Sequence, residues 1–174
     1  MTEQKWLTSD ELVAWVRFVA VLQLFPPALD AQLERDADLT HFEYFTLAML
    51  SEAPNRTLRM TALAGRTNAT LARLSRVVSN LEGRGYAQRM PCPEDRRATN
   101  VSLTDAGWHK VVATAPGHVN LVRNVVIDTL TADELAQLSA ISARLLGKLD
   151  PEGKMAATVR ATESGDAVPG ANSR

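Results

Sequence analysis

The sequence feature that most constrains the fold of this chain is a helix-start pattern that occurs three times. Thr8-Ser-Asp-Glu11, Thr40-His-Phe-Glu43 and Thr131-Ala-Asp-Glu134 each place a hydroxyl three residues before a carboxylate. In such a capping box the two side chains satisfy each other's free backbone amides at the beginning of a helix. Apolar residues recur at helical spacing after each pattern, so the sequence predicts a mainly α-helical protein.

The predicted helices at the two ends of the chain are long, and two of them contain helix breakers. The apolar spacing predicts helices over residues 9–36, 40–52, 104–130 and 132–149. Pro26-Pro27 removes two backbone donors, so we expect the first helix to kink or split near Phe25. Pro116-Gly117 predicts a kink or break in the helix of residues 104–130.

The middle of the chain predicts a different arrangement. A short helix over 60–66 is followed by a turn, and Thr70 is suited to cap a further helix that runs to about Arg84 and ends at Gly85. Residues 86–90 and 99–103 have the short, alternating pattern of strands, and they flank a charged loop with two prolines. The predicted fold is mainly α with a small β-hairpin wing: a winged helix-turn-helix over residues 57–104.

Charge is concentrated in this middle segment. The net charge of the whole chain is only −1, yet the segment from Arg56 to Arg97 holds nine arginines, no lysine and three acids. Arginine forms two parallel hydrogen bonds with phosphate or guanine. The distribution favours a polyanion-binding surface on an acidic body, and the alternative is a solvated arginine-rich face.

Cellular location follows from what the sequence lacks. The N-terminus has no basic region followed by an apolar run, so we expect no signal peptide. No apolar stretch is expected to approach the length of a membrane span. Cys92 is the single cysteine, which excludes an internal disulfide. We therefore predict a cytoplasmic protein that is not embedded in a membrane.

Several segments together resemble the MarR family of transcriptional regulators. The most specific part is Asp95-Arg-Arg97, followed six residues later by Leu103-Thr-Asp-Ala-Gly107. The resemblance extends over residues 8–149. It also rests on three earlier segments: Leu63-Ala-Gly-Arg66, the stretch from Leu71 to Glu82, and Gly85-Tyr86.

The resemblance implies a homodimer that binds a pseudo-palindromic site in double-stranded DNA, in most cases as a repressor. It assigns dimerisation and effector-pocket helices to residues 1–56, DNA binding to 57–104 and further dimerisation helices to 105–150. The composition after Pro151, rich in glycine, serine, alanine and charge, predicts a disordered tail over 151–174. The resemblance implies that Arg97 enters the minor groove, that Asp95 holds the shape of the wing, and that Arg96 lies at the wing tip, where DNA contact and solvation both remain open. The positions implied to face the major groove or its phosphates are Thr70, Leu71, Ala72, Arg73, Ser75 and Arg76.

This sequence departs from common members at Leu71 and Ala72, where polar residues are frequent. Fewer direct hydrogen bonds to bases are therefore expected, and Arg73 and Arg76 matter more. Arg84 and Arg89 are interpreted as phosphate or solvent contacts rather than base readers.

The resemblance also implies a cavity for a small aromatic or phenolic effector. The candidate lining residues are Trp15, Phe18, His41, Tyr44, Phe45 and His118. The alternative is that these rings only pack against one another. The spacing of the three histidines fits no compact zinc site, so neither a metal nor a cofactor is predicted.

Two other functions remain open. A winged helix can also bind proteins, which would make this chain an interaction module. Cys92 could sense oxidants if its surroundings stabilised the thiolate. An enzyme is not predicted, because the sequence has no glycine-rich phosphate loop, no nucleophile elbow and no paired catalytic cysteine and histidine.

Overall fold

The computed structural model describes residues 5–93, 95 and 97–155. It is mostly helical, with one small antiparallel sheet. The helices are α1 (Ser9–Ala37), α2 (His41–Ser51), α3 (Met60–Arg66), α4 (Leu71–Gly83), α5 (Asp105–Val122) and α6 (Ala132–Leu149). The strands are β1 (Thr57–Arg59), β2 (Ala87–Pro91) and β3 (Thr99–Leu103).

The helix starts confirm the capping predictions. Thr8, Thr40 and Thr131 each form a complete capping box with the glutamate three residues on. Thr70 begins α4 by accepting a hydrogen bond from the backbone amide of Arg73. Each of these hydroxyls satisfies an amide that has no partner within its own helix.

The prolines do not divide the helices where the sequence predicted. α1 continues through Pro26 and Pro27 without splitting, because its C-terminal part is anchored in the core by Leu29 and Leu33. α5 likewise continues through Pro116, and the helix changes instead to a π-helical turn at Arg123–Ile127. The predicted break at Pro116-Gly117 was therefore wrong.

Gly117 has a packing role in place of the predicted break. A Cβ atom there would lie 3.1 Å from Nε2 of Gln32 on α1. The absence of a side chain lets α5 approach α1 closely. The two helices pack together at this point.

The wing belongs to a three-stranded sheet in the order β1-β3-β2. β2 and β3 form the predicted hairpin, with Ala87 opposite Leu103 and Pro91 opposite Thr99. β1 pairs with the other edge of β3. β1 was not predicted, because three residues are too short to show a strand period.

The segment Leu103–Gly107 joins the wing to α5. Thr104 donates its hydroxyl to the carbonyl of Gly85 at 2.7 Å and accepts from the amide of Gly107 at 3.0 Å. A Cβ on Gly107 would lie 2.0 Å from the carbonyl oxygen of Tyr86, so only glycine fits. The spacing of this motif therefore fixes the base of the hairpin against the beginning of α5.

The hydrophobic core lies between the C-terminal part of α1, the helix-turn-helix and the sheet. Its fully buried members include Leu33, Leu47, Leu63, Leu74, Val78, Leu81 and Val101. Aliphatic side chains fill most of this core, which agrees with an aromatic content of only 5%. Both helices of the helix-turn-helix are therefore held rigidly by the body of the protein.

Large apolar side chains on α1 and on α6 remain uncovered among the described residues, and we call this set the exposed apolar face. It consists of the side chains Leu12, Val13, Trp15, Val16, Phe18, Val21, Leu22 and Leu24 of α1 together with Leu138, Ile141, Leu145 and Leu149 of α6, each at least 40% exposed. α1 is also long and apolar enough, by length and composition, to cross a membrane. The expectation that no stretch approaches such a length was wrong on this measure.

Residues 151–155 form a turn after α6, and the side chain of Lys154 lies beside Gly65 of α3. The remainder of the predicted disordered tail, residues 156–174, lies outside the described residues.

Candidate nucleic-acid interface

α4 is strongly amphipathic. Leu74, Val78 and Leu81 are fully buried and hold one side of the helix in the core. The predicted DNA-facing residues Thr70, Leu71, Ala72, Arg73 and Arg76 are all exposed. The beginning of α4 therefore presents two arginines and the free amides of its first turn to solvent.

Arg73 is exposed but not unconstrained. Its guanidinium carbon lies 4.1 Å from the centre of the Phe42 ring, a cation–π contact. Arg73 also lines an open groove of about 500 Å³ together with Asp30 and Glu34 of α1. The sequence interpretation did not place Phe42 at the interface, although its position two residues after the capping Thr40 put it in the first turn of a helix.

Ser75 and Arg89 contact each other instead of standing free. The guanidinium of Arg89 donates to the carbonyl of Ser75 at 2.7 Å and to its hydroxyl at 3.1 Å, and it also forms an ion pair with Glu82. The backbone amide of Arg89 donates to the same Glu82 carboxylate at 2.6 Å. Arg89 therefore ties β2 to α4, and this internal role differs from the predicted phosphate or solvent contact.

Arg84 is tied to the body in the same way. It donates to the carbonyl of Asp38 at 2.6 Å and to its carboxylate at 3.0 Å, and it lies over the Tyr86 ring. Asp38 ends α1 in the left-handed conformation. Arg84 therefore connects the end of α4 to the end of α1. The sequence interpretation missed this contact.

The wing presents Arg97 to solvent. Its side chain is 97% exposed, and its backbone amide donates to the carboxylate of Asp95 at 3.1 Å. The carbonyl of Asp95 accepts from the amide of Ala98 at 2.9 Å, so Asp95 closes the turn from both its side chain and its backbone. Arg96 lies outside the described residues.

Cys92 lies at the base of this turn. Its thiol is buried, 4% exposed, and accepts a hydrogen bond from the guanidinium of Arg59 at 3.4 Å. A nearby cation stabilises a thiolate, whereas burial opposes it and limits access by oxidants. The redox role of Cys92 stays a hypothesis.

Four of the six candidate effector-pocket residues come together. His41 stacks on Phe45 and on His118, with ring centres 6.1 and 6.3 Å apart, and Tyr44 lies 4.8 Å from His118. Two buried polar atoms here have no hydrogen-bond partner: Nδ1 of His118 and Oε1 of Gln32, whose side chain lies beside Gly117. We call His41, Tyr44, Phe45 and His118 the histidine cluster.

Trp15 and Phe18 do not join the histidine cluster. They contact each other, with ring centres 6.4 Å apart, and both lie on the exposed apolar face. Trp15 lies fifteen residues before Asp30, the α1 residue that accepts from the His41 amide, which is about 22 Å along the helix.

Burial governs the protonation of the histidine cluster. Desolvation lowers the pKa of His41, and the nearby Asp30 carboxylate partly opposes this. Desolvation also lowers the pKa of His118, and the adjacent His41 lowers it further. Burial raises the pKa of Tyr44. These directions favour neutral rings at neutral pH.

Across the residues that the structure describes, no three histidine, cysteine or carboxylate side chains form a metal site.

An amphipathic helix with exposed arginines, capped at its beginning and flanked by a β-hairpin with an arginine at its tip, defines the winged helix-turn-helix class of DNA-binding proteins. A family model described as the MarR family matches residues 39–99. Two solved structures from Streptomyces coelicolor, both MarR family transcriptional regulators, extend the match to most of the chain.

The first of them is Sco3205, solved in complex with DNA. It is 40% identical, with 87% of this chain and 94% of that chain covered and a TM-score of 0.83. The second, AbsC, is 32% identical, with 84% and 98% covered and a TM-score of 0.80. The HTH-type transcriptional regulator YdcH of Bacillus subtilis is 33% identical over 81 residues, which are 45% of this chain and 55% of that protein.

The chain belongs to the MarR family, and it is a DNA-binding transcriptional regulator rather than an enzyme. This agrees with the resemblance seen in the sequence. The match to YdcH spans only about half of that curated relative's length.

Proposed function

We propose that this protein is a cytoplasmic homodimer that represses transcription by binding a pseudo-palindromic operator, and that a small aromatic or phenolic effector releases it. The observation that carries the DNA-binding part is the exposure of Arg73, Arg76 and Arg97 on two elements of one rigid unit. A DNA complex of the similar Sco3205 supports it.

The proposed docking follows from groove geometry. α4 enters the major groove, where Arg73 and Arg76 reach base edges or phosphates. The amides of its first turn favour a phosphate at Thr70. The wing lies along the backbone, and Arg97 enters the adjacent minor groove, whose negative potential attracts an arginine.

The exposed apolar face supports the dimer. Large apolar side chains in contact with water are unfavourable, and a patch of this size marks a surface that another molecule covers. A membrane fits this face poorly, because Arg17 lies among its apolar residues and a charge there is costly in lipid. A second copy of the chain would cover α1 and α6 and present two recognition helices about one DNA turn apart.

The histidine cluster supports the effector site. It offers aromatic surfaces together with two unsatisfied polar atoms, and it lies between α1, α2 and α5. Aromatic surfaces and a few polar groups are the kinds of side chain that contact a small, mostly flat molecule. Release would follow if the effector bound more tightly to a dimer whose recognition helices are wrongly spaced.

Arg97→Ala tests the DNA-binding part. We expect it to weaken operator binding by about 1–3 kcal/mol, because it removes a minor-groove contact. The measurement is fluorescence anisotropy with a duplex selected from random sequences by the parent protein. Arg35→Ala removes the same charge from an exposed position outside the helix-turn-helix and the exposed apolar face, and it serves as the control. Equal affinities for parent and Arg97→Ala would contradict the assignment of the wing.

A thermal-shift titration with simple phenols tests the effector part. We expect a phenol to raise the melting temperature of the parent and to have a smaller effect on His118→Ala, since the ring faces the cluster. The same phenol should release the labelled operator. Equal shifts in both proteins would place the phenol elsewhere.

A further inference from the structure

The first turn of α2 makes two separate contacts with the recognition helix α4. Phe42 stacks on Arg73, and Glu43 accepts a hydrogen bond from Asn80. We infer that Phe42 and Glu43 are positioning residues for DNA recognition: they fix the orientation of α4 and of its leading arginine against the body of the protein.

The Phe42 contact acts on a DNA-facing side chain. Arg73 has many accessible rotamers, and an arginine that is free in solution loses them when it binds DNA. The Phe42 ring, partly buried against the core, holds the guanidinium plane at 4.1 Å before DNA arrives. Preorganisation of this kind raises affinity because less entropy is lost on binding.

The Glu43 contact acts on the helix itself. The Glu43 carboxylate is buried, 6% exposed. It accepts from the amide and hydroxyl of Thr40 at 2.8 and 3.0 Å, and its other oxygen accepts from Nδ2 of Asn80 at 2.6 Å. One side chain therefore caps α2 and also holds α4.

The spacing of the two contacts gives them their effect. Arg73 and Asn80 are seven residues apart, so they lie about two turns apart on the same side of α4. Two attachment points along one side of a helix restrict both its tilt and its rotation about its own axis. They add to the restraint from Leu74, Val78 and Leu81, which hold a different side of α4 in the core.

The same turn also touches the histidine cluster. His41 precedes Phe42, its amide donates to Asp30 of α1 at 2.6 Å, and its ring stacks on His118 of α5. A displacement of His41 would therefore move both contacts with α4. This part of the inference rests on the proposed effector site, whereas the positioning role does not.

A double-mutant cycle tests the positioning role of Phe42. We expect Phe42→Leu to weaken operator binding about tenfold. Phe42→Tyr keeps the aromatic face and should retain most of the parent's affinity. In an Arg73→Ala background, Phe42→Leu should cause no further loss, since its effect passes through Arg73. An equal loss in both backgrounds, or no loss in either, would overturn the role of Phe42.

Asn80→Ala tests the second contact without disturbing the core, because Asn80 is exposed. In a Glu43→Ala background Asn80 has no acceptor on α2, so Asn80→Ala should cause no further effect there. Hydrogen exchange of the α4 amides without DNA gives a readout independent of operator binding. We expect faster exchange in Asn80→Ala than in the control Arg76→Ala, which changes another exposed side chain of α4. If the α4 amides of Asn80→Ala exchanged at the rates of the parent, the role of Glu43 would be overturned. This result does not depend on whether the parent binds an operator.

Discussion

The arginines of the segment from Arg56 to Arg97 have two separate roles. Arg76 and Arg97 are exposed and available to DNA, whereas Arg84 and Arg89 donate to carbonyls and carboxylates of neighbouring elements. The sequence interpretation separated Arg84 and Arg89 from the base readers, but it assigned them to phosphate or solvent and not to contacts within the protein. The division depends on acceptors, such as Asp38, that lie far away in the chain.

Protonation of the histidine cluster predicts a pH dependence of stability. His41 and His118 have a lowered pKa in the folded protein, so the unfolded chain binds protons first as the pH falls. Their contribution to stability is complete above about pH 6.5 and is lost as the pH falls from there toward the folded pKa values. We expect His118→Gln to lose less stability over this range than the parent.

Urea unfolding between pH 5 and 8 measures this difference. His109→Gln is the matched control, since His109 lies exposed on the same helix, α5. A parent and a His118→Gln variant with identical pH profiles would show that burial of this ring does not govern its protonation.

At the scale of elements, the contact between wing and recognition helix depends on Arg89. Arg89→Met keeps the aliphatic stem and the backbone hydrogen bond to Glu82, but it removes the ion pair with Glu82 and the side-chain donor to the carbonyl of Ser75. We expect unfolding to become easier by about 1–3 kcal/mol. Operator affinity should fall as well, because the wing and α4 lose their fixed relation.

Salt dependence separates this internal role from a phosphate contact. If Arg89 acts within the protein, the slope of log K against log salt should be the same for Arg89→Met as for the parent. Loss of a phosphate contact would lower that slope by about one. Binding titrations from low to moderate salt measure it, and a lowered slope would support the original interpretation of Arg89.

The sequence predicted elements well where a local interaction defines them. Every capping threonine begins a helix, because the hydroxyl and the amides that it satisfies lie within three residues. It failed where distant packing decides the outcome. Pro26 and Pro116 remain inside helices that the core and neighbouring helices support, and β1 forms only because β3 lies beside it.

The candidate site was predicted in part for the same reason. Helical spacing placed Arg73 and Arg76 on the exposed side of α4, which the structure shows. It could not identify Phe42, Glu43 or Asn80, since their contacts join helices that are distant in the chain. Trp15 was grouped with the histidine cluster because the family resemblance implies an aromatic cavity, and the length of α1 separates them.

At the scale of the whole molecule, the exposed apolar face predicts that the protein forms a dimer. Leu22 of α1 is 51% exposed on this face. We expect Leu22→Asp to weaken self-association about a hundredfold or more, because a dimer would bury an unpaired charge. Sedimentation velocity at micromolar concentration should show a monomer, and operator affinity should fall with it.

Ala31→Asp is the control for this prediction. Ala31 is also exposed on α1, but it lies beyond the exposed apolar face. It should leave the sedimentation coefficient unchanged. A Leu22→Asp protein that still sediments as a dimer would exclude the N-terminal part of α1 from the interface.

An apolar surface of this kind has a consequence for gene dosage. Where subunits are scarce, the amount of a two-chain species rises with the square of the amount synthesised. A regulator that binds DNA only as a dimer therefore leaves its operator almost unoccupied at low expression. Occupancy then rises over a narrow range of protein concentration. The water-exposed leucines and valines of α1 would thus sharpen the threshold at which the target promoter switches.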